Sequence, residues 1–285
     1  MYKFGLHLYT YVSCMDDDSL KFLPRLKEMG YDGCEIPLVA EHLQLLTPSK
    51  VRKKLKELNM SCVTGTGINP DMSIISENNE IRLRGINHLK KCIDMTAEMD
   101  APLICGALYA PIGIRPKSGP TPKEWELSVK GLREVARYAA QKGITLGLEP
   151  LNRYENFFIN VAEDAVTLIK DIGEPNIKVH LDTYHMNIEE KNIYQTVLNT
   201  GHLVGHIHCS ENDRGIPGTG HIDWDGLFKA LKEIQYDGWC VIESFFEPIP
   251  HISDLTPIWR KLAPDADTLS KQGLDFIKSK TMQIT

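Results

Sequence analysis

The feature that most constrains the fold of this chain is an alternation between short apolar segments and longer amphipathic ones, which continues from end to end. The apolar segments have the length and composition of buried strands, and the segments between them repeat their apolar residues at helical spacing. Strands that alternate with helices form a parallel sheet, because each helix carries the chain back to the starting edge. The predicted strands are residues 3–9, 33–38, 61–67, 103–109, 144–150, 177–182, 203–208 and 239–244.

Predicted helices lie between these strands. Residues 18–29 precede Gly30, a residue that suits a helix C-terminus, and residues 47–49 place a proline just inside the start of the next helix. Strand–helix units of about 35 residues favour closure of the sheet into a barrel. We therefore predict fold class α/β, with residues 1–285 forming a single (β/α)8 TIM barrel domain. An open doubly wound sheet is the alternative, but no GxGxxG fingerprint follows the first strand. The further helices are predicted over 79–99, 121–141, 162–172, 189–198, 225–234 and 265–278.

Composition narrows the function classes. The net charge of -6 argues against a nucleic-acid surface, which normally needs clustered Lys and Arg. No segment approaches the roughly 20 apolar residues of a membrane span, and no export signal is recognisable at the N-terminus. The 7 cysteines contain no CxxC pair, so neither a zinc knuckle nor a disulfide framework is indicated. A cytoplasmic location fits this cysteine usage best.

Four residues of ligand type stand at the predicted ends of the last four strands, namely Glu149, Asp182, His208 and Glu243. Catalytic groups of such barrels lie at the carboxyl ends of the strands, so these side chains are expected to converge at one mouth. Three carboxylates buried together are unfavourable unless a cation neutralises them. Three oxygen ligands and one imidazole suit Mn²⁺, Mg²⁺ or Co²⁺. A polar residue facing water is the alternative for any single position, but four in succession indicate a metal site.

Two further histidines, His180 and His206, lie two residues before Asp182 and His208. Strand alternation points them to the same side as those ligands but deeper in the barrel. Packing in the barrel interior is favoured over ligation, which stays open as the second interpretation.

Longer motifs surround the same strand ends. They are LEPLNRYENFFIN (148–160), HLDTYHMNIEE (180–190), HIHCSENDRGIPGTGHIDW (206–224) and VIESF (241–245), together with CGALY (105–109). In this order they resemble the ketose 3-epimerases, the D-tagatose/D-allulose (psicose) 3-epimerase family of xylose isomerase-like TIM barrels. The resemblance extends over essentially the whole chain. It implies an isomerase that epimerises a free ketose at C3.

The resemblance also implies particular residue roles. It implies that the quartet at the strand ends binds one Mn²⁺ per subunit, with Co²⁺ or Mg²⁺ as possible substitutes. It further implies that Glu155, His185 and Arg214 hold the substrate near C1 and C2. The position of His185 and Arg214, in predicted loops just after two of the ligands, agrees with donors to an oxygen that gains negative charge. A homodimer or homotetramer, a monosaccharide ligand, and neither nucleic-acid nor membrane partners are expected.

Epimerisation at C3 requires removal of the proton next to the C2 carbonyl and its return on the opposite face. We expect a metal to polarise the carbonyl and to hold the enediolate. Glu149 and Glu243 come from strands three apart and could stand on either side of the substrate, so we predict them as the acid–base pair. Asp182 and His208 are then simple ligands.

The first half of the chain departs from the family pattern. Residues 110–114 lack the Trp that relatives place over the distal end of the sugar, and His7 stands where relatives usually have an aromatic. We expect His7 either to contact distal hydroxyls or to fill the mouth. Tyr109 and Phe245 are further candidates for lining the substrate site, and the specificity at C4–C6 stays open.

Other activities fit the same scaffold. An aldose–ketose isomerase would move the proton between C1 and C2, and a 3-keto-sugar epimerase or isomerase would act on an oxidised sugar. An endonuclease for abasic sites would need extra His ligands from early strands and a basic face. The third and fourth strands end in TGTG and GALY, without His, and the chain is acidic, which disfavours the endonuclease.

Overall fold

Eight parallel strands form a closed barrel in which each strand pairs with its neighbours in sequence and β1 pairs with β8. The structure is a computed structural model that describes residues 2–249 and 258–283. The predicted class α/β and the (β/α)8 TIM barrel are therefore confirmed. The strands are β1 (Lys3–His7), β2 (Gly33–Pro37), β3 (Ser61–Gly65), β4 (Leu103–Gly106), β5 (Thr145–Leu148), β6 (Ile177–Asp182), β7 (Val204–His208) and β8 (Trp239–Ile242).

Helices cover the outside of the barrel. The predicted helix over 18–29 is divided into a 3₁₀ segment, Asp17–Phe22, and the α-helix α1. A short helix that the sequence analysis did not predict, α6, follows β6 without an intervening loop. The helices are α1 (Leu23–Met29), α2 (Pro48–Glu57), α3 (Asn79–Glu98), α4 (Pro122–Ala140), α5 (Ala162–Ile172), α6 (Thr183–Glu189), α7 (Ile193–Thr200), α8 (Trp224–Glu233) and α9 (Ala266–Gln283).

Local sequence signals account for several helix ends. Thr121 begins α4 with a capping box, in which its hydroxyl accepts from the Glu124 amide and the Glu124 carboxylate accepts from the Thr121 amide. Gly30 ends α1 at φ 97°, a left-handed conformation that glycine adopts without a steric penalty. Asp182 begins α6 by accepting from the amide of Tyr184. The last residue of β6 is therefore also the cap that turns the chain into α6.

The apolar core has two parts. The larger part packs between the barrel and its helices. The smaller part consists of Val63, Leu103, Cys105, Trp239 and Val241. Of these, Val63 pairs in register with Glu35 and Val241 with His208, residues whose side chains face the central cavity. The smaller cluster thus belongs to the barrel interior. In the described ranges, 2–249 and 258–283, no helix combines the length and the apolar character needed to cross a membrane.

Candidate metal centre and active site

The structure brings the four predicted ligand residues together at the carboxyl ends of the last four strands. Asp182 and His208 are the last residues of β6 and β7, and Glu149 and Glu243 directly follow β5 and β8. One ligand atom from each lies within 4.8 Å of those of the other three. The Nδ1 atom of His208 is 3.4 Å from Glu243 Oε2, 3.6 Å from Asp182 Oδ2 and 4.0 Å from Glu149 Oε1. The quartet therefore has the compactness of a single-ion site.

The hydrogen bonding of His208 tests whether a cation fits this quartet. Its Nε2 atom lies 2.9 Å from Glu35 Oε2, and a carboxylate can only accept, so the proton is on Nε2. Without an ion, burial opposes the charged form of His208, but Glu35 and Glu243 raise its pKa well above the ordinary value. In the neutral ring, which is the form that binds a metal, the Nδ1 atom carries a lone pair. It is buried without a hydrogen-bond partner and faces three carboxylates. One imidazole lone pair and three carboxylates form a donor set that suits a divalent cation. A His ring held by a carboxylate through its other nitrogen is typical of metal ligation. The residues fit the ion.

Electrostatic surroundings separate the two predicted acid–base carboxylates. Burial raises the pKa of Glu149 well above its ordinary value. Burial also acts to raise the pKa of Glu243, but Arg214 and His208 outweigh it and hold that pKa well below the ordinary value. Two carboxyl groups whose surroundings move their pKa values apart are suited to opposite roles in proton transfer. A cation in the quartet would favour the ionised form of both.

Arg214 lies over the quartet and touches two of its members. Its Nη1 atom donates to Asp182 Oδ2 at 2.7 Å and to Glu243 Oε2 at 2.5 Å. Its guanidinium lies 4.2 Å from the ring centroid of Tyr184, so one face of the group is covered. Burial opposes the charged form, but Asp182 and Glu243 raise the pKa of Arg214 above its ordinary value. This residue is thus a fixed positive charge at the mouth of the site.

His185 presents an N–H group to the same space. Its Nδ1 atom accepts from the backbone amide of Asn152 at 3.1 Å, which requires the proton of the neutral ring to be on Nε2. That Nε2 atom lies 3.6 Å from Glu149 Oε1 and 3.3 Å from Arg214 Nη2, and since these two nitrogens are both donors they form no hydrogen bond with each other. His185 is not in a loop, as its sequence position predicts, but in α6, whose cap, Asp182, is a member of the quartet. Glu155 is buried beside it and accepts from the Asn152 side chain at 2.9 Å.

A cavity of about 480 Å³ opens above the quartet. Of the predicted substrate-binding residues, Glu155, His185, Arg214, His7 and Phe245 line it. Its far wall comes from the first half of the chain, where aliphatic residues stand beside the polar Glu41, His42, Thr66 and Asn69. That wall includes Leu38, Val39, Ile68, Pro70, Met72 and Ile112.

Tyr109 differs from the expectation that it lines the substrate site. It is fully buried, does not line the cavity, and donates its hydroxyl to the backbone oxygen of Glu149 at 2.8 Å. The strand β4 ends at Gly106, where φ is 121°, so alternation along the strand no longer predicts where Tyr109 points. Its position supports the backbone of Glu149 instead of facing a ligand.

Two buried carboxylates were missed by the sequence analysis. Glu35 lies in the middle of β2 and accepts from His206 Nε2 at 2.8 Å as well as from His208 Nε2. It was not predicted because it does not stand at a strand end. The sequence signal for such a residue is an acidic side chain inside a buried strand. Glu211 is fully buried after β7 and accepts from the Gly218 amide at 2.7 Å and from Trp224 Nε1 at 3.2 Å. It fixes the loop that carries Arg214.

Comparison with known proteins agrees with this geometry. The family model described as xylose isomerase-like TIM barrel matches residues 23–280. An L-ribulose 3-epimerase from Methylomonas sp. is 35% identical over 88% of this chain and 87% of its own length. A ketose 3-epimerase from Arthrobacter globiformis is 31% identical over 99% of this chain and 98% of its own length. The chain belongs to the ketose 3-epimerase family.

A solved member of the family has the same fold over nearly its full length. The D-allulose 3-epimerase from Methylomonas sp., in a complex with D-allulose, matches with a TM-score of 0.93 and 30% identity over 98% of this chain and 97% of that one. The resemblance found in the sequence motifs is therefore confirmed. The expectation of an isomerase of the epimerase class is confirmed with it.

Proposed function

We propose that this protein epimerises a free ketose at C3, as its relatives' names indicate for them. The candidate pairs are D-allulose/D-fructose, D-tagatose/D-sorbose and L-ribulose/L-xylulose. The observation that carries the proposal is that Glu149 and Glu243, from strands on different sides of the mouth, reach one ligand-sized space together with Asp182 and His208. A binding module would not need two carboxylates aimed at one point.

The chemistry follows from the residues around that space. One of Glu149 and Glu243 removes the proton at C3, and the other returns a proton on the opposite face, with the roles exchanged in the reverse direction. Negative charge that develops on O2 meets the guanidinium of Arg214 and the Nε2–H of His185, both fixed before the substrate arrives. Glu155 is placed to accept from a substrate hydroxyl. A divalent ion held by the quartet would supply a Lewis acid for the carbonyl.

We further propose the metal, the oligomeric state and the location of the enzyme. The three-oxygen, one-nitrogen donor set supports Mn²⁺, with Co²⁺ or Mg²⁺ as substitutes, and one ion per subunit in this quartet. A homodimer or homotetramer in the cytoplasm, acting on a monosaccharide without a nucleic-acid or membrane partner, agrees with the family and with the composition.

A substrate screen tests the activity. The metal-loaded protein is incubated separately with allulose, fructose, tagatose, sorbose and ribulose, and the products are identified by NMR. We expect at least one ketose to be converted to its C3 epimer until equilibrium is reached. An aldose as the product would instead favour isomerisation between C1 and C2. Lack of reaction with all five ketoses, in a sample shown to contain the ion, would contradict the proposal.

A further inference from the structure

A second group of potential metal ligands lies in the barrel interior, deeper than the carboxylate quartet. Cys105 belongs to β4, His180 to β6 and His206 to β7, and all three are fully buried. One donor atom from each, together with one nitrogen of His208, lies within 4.8 Å of the others. The two groups therefore share His208 and differ in every other member.

Both histidines that are specific to this group have buried nitrogens without a hydrogen-bond partner. Neither Nδ1 nor Nε2 of His180 has a hydrogen bond, so whichever nitrogen faces the group is unpartnered. Its Nδ1 atom is 3.6 Å from Glu149 Oε2, which is beyond a normal hydrogen bond. His206 uses Nε2 to reach Glu35 and leaves Nδ1 buried without a partner. Buried polar atoms are nearly always satisfied, so these rings indicate an additional group that binds one nitrogen of His180 and one of His206.

A glycine on the strand between Cys105 and His180 lets these two residues lie side by side. Gly147 of β5 separates them, and a Cβ atom at this position would lie 2.9 Å from the Cβ of Cys105 and 3.4 Å from that of His180. A side chain on β5 would therefore collide with both residues, so glycine is what permits their proximity. Cys105 and His180 also line the central cavity, which gives an ion a route from the mouth.

The charges around the group favour a second cation. Glu35 is a fully buried carboxylate in addition to the three in the quartet, and its Oε1 atom is 3.4 Å from Cys105 Sγ. When His208 ligates an ion it is neutral, so its bond to Glu35 carries no opposing charge. Arg214 and one divalent ion together do not balance four carboxylates. A cation close to Glu35 would remove this excess.

We propose that Cys105, His180 and His206 bind a second divalent ion, softer than the one in the quartet and of the Zn²⁺ or Co²⁺ type. One thiolate and imidazole nitrogens form the donor set that selects such ions, whereas the quartet suits harder ones. On binding, the Cys105 thiol loses its proton to solvent, and the sulfur lone pair forms the metal–sulfur bond. No electron transfer is involved. The ion would hold β4, β6 and β7 together beneath the active site.

Cobalt is the probe for the test, because thiolate ligation gives Co²⁺ a charge-transfer band in the near ultraviolet that oxygen and imidazole ligands do not. The full chain is stripped with a chelator, titrated with Co²⁺, and analysed for bound metal and for its absorption spectrum. We expect two ions per chain and the thiolate band. One ion per chain without that band would overturn the proposal and leave the histidines as packing groups.

Matched variants locate the site. Cys105→Ser should bind one ion fewer and lose the band, whereas Cys34→Ser should retain both, since Cys34 is equally buried but is not a member of the group. Retention of the band in Cys105→Ser would overturn the assignment. If that variant does not fold, His180→Gln provides the second test, with the same loss of one ion expected. The wild-type titration decides the question without either variant.

Discussion

The two halves of the barrel contribute differently to the candidate site. Strands β5 to β8 supply the whole quartet, and the segments after them supply the donors above it. The first half supplies a wall of aliphatic and polar residues, and His7 and Glu35 are the members of it that lie nearest to the quartet. The residues that carry out the reaction are therefore concentrated in the second half. The first half shapes the substrate space, and its Glu35 holds the metal ligand His208.

The largest effect is expected in the second half, from Glu149→Gln or Glu243→Gln. Each change keeps the shape of the side chain but removes a group that transfers a proton, so we expect kcat to fall by about 10³-fold or more. Elemental analysis should still find part of the metal bound. The control is Glu247→Gln, which alters a carboxylate with 44% exposure shortly after β8 and should leave kcat unchanged. Substantial turnover in both quartet variants would contradict the two-base scheme.

Arg214→Lys should have the next largest effect, again in the second half. Lysine keeps the charge but has no planar group to lie over the Tyr184 ring, so its single nitrogen is not held in place against Asp182 and Glu243, and we expect kcat to fall by roughly 10²-fold. Steady-state kinetics measures this effect. Arg260→Lys changes an arginine with 73% exposure and is the matched control. An equal kcat in the two variants would show that Arg214 has no role in the mechanism.

Glu35→Gln tests the support that the first half gives to the quartet. The amide oxygen carries no negative charge and accepts from His206 and His208 more weakly than the carboxylate oxygen does, so the ring of His208 is held less well. Loss of such a partner typically lowers metal affinity by about 10- to 100-fold. Titration of the stripped protein with Mn²⁺ measures the change, and excess Mn²⁺ should restore much of the activity. Unchanged affinity would show that β2 has no part in holding the ion.

Ile112→Ala should have a smaller effect, confined to substrate binding. Ile112 contributes an apolar side chain to the cavity wall and cannot transfer a proton. We expect KM to rise by less than about 10-fold with kcat nearly constant, the pattern of lost uniform binding. The rise should be greater for a six-carbon than for a five-carbon ketose. A fall in kcat without a change in KM would contradict the division between the two halves.

Tyr109→Phe should have the smallest effect on the reaction. It removes the hydroxyl that donates to the backbone oxygen of Glu149, with an expected loss of about 1 kcal/mol in unfolding free energy. Denaturant unfolding measures the loss. KM should stay at the wild-type value, because the side chain does not line the cavity. A rise in KM without a loss of stability would instead show that Tyr109 contacts the substrate.

The sequence predicts the second half of the site well because its ligands stand at strand ends, where barrel geometry brings residues of distant sequence position together. Glu35 was missed because it lies within a strand, and only the positions of His206 and His208 explain a carboxylate there. The helix α6 was missed because seven residues that follow β6 directly leave little room for a helical pattern. Tyr109 was misplaced because the left-handed Gly106 ends β4 early.

The position at which solvent hydrogen enters the sugar tests the central claim most directly. The metal-loaded enzyme is incubated in D₂O with the ketose that it converts, and the product is examined by NMR. The account predicts deuterium at C3 of the epimer, with C1 unlabelled, because the carboxylates exchange their proton with solvent between removal and return. Deuterium at C1 or C2, with none at C3, would contradict a C3 epimerase and indicate an aldose–ketose isomerase.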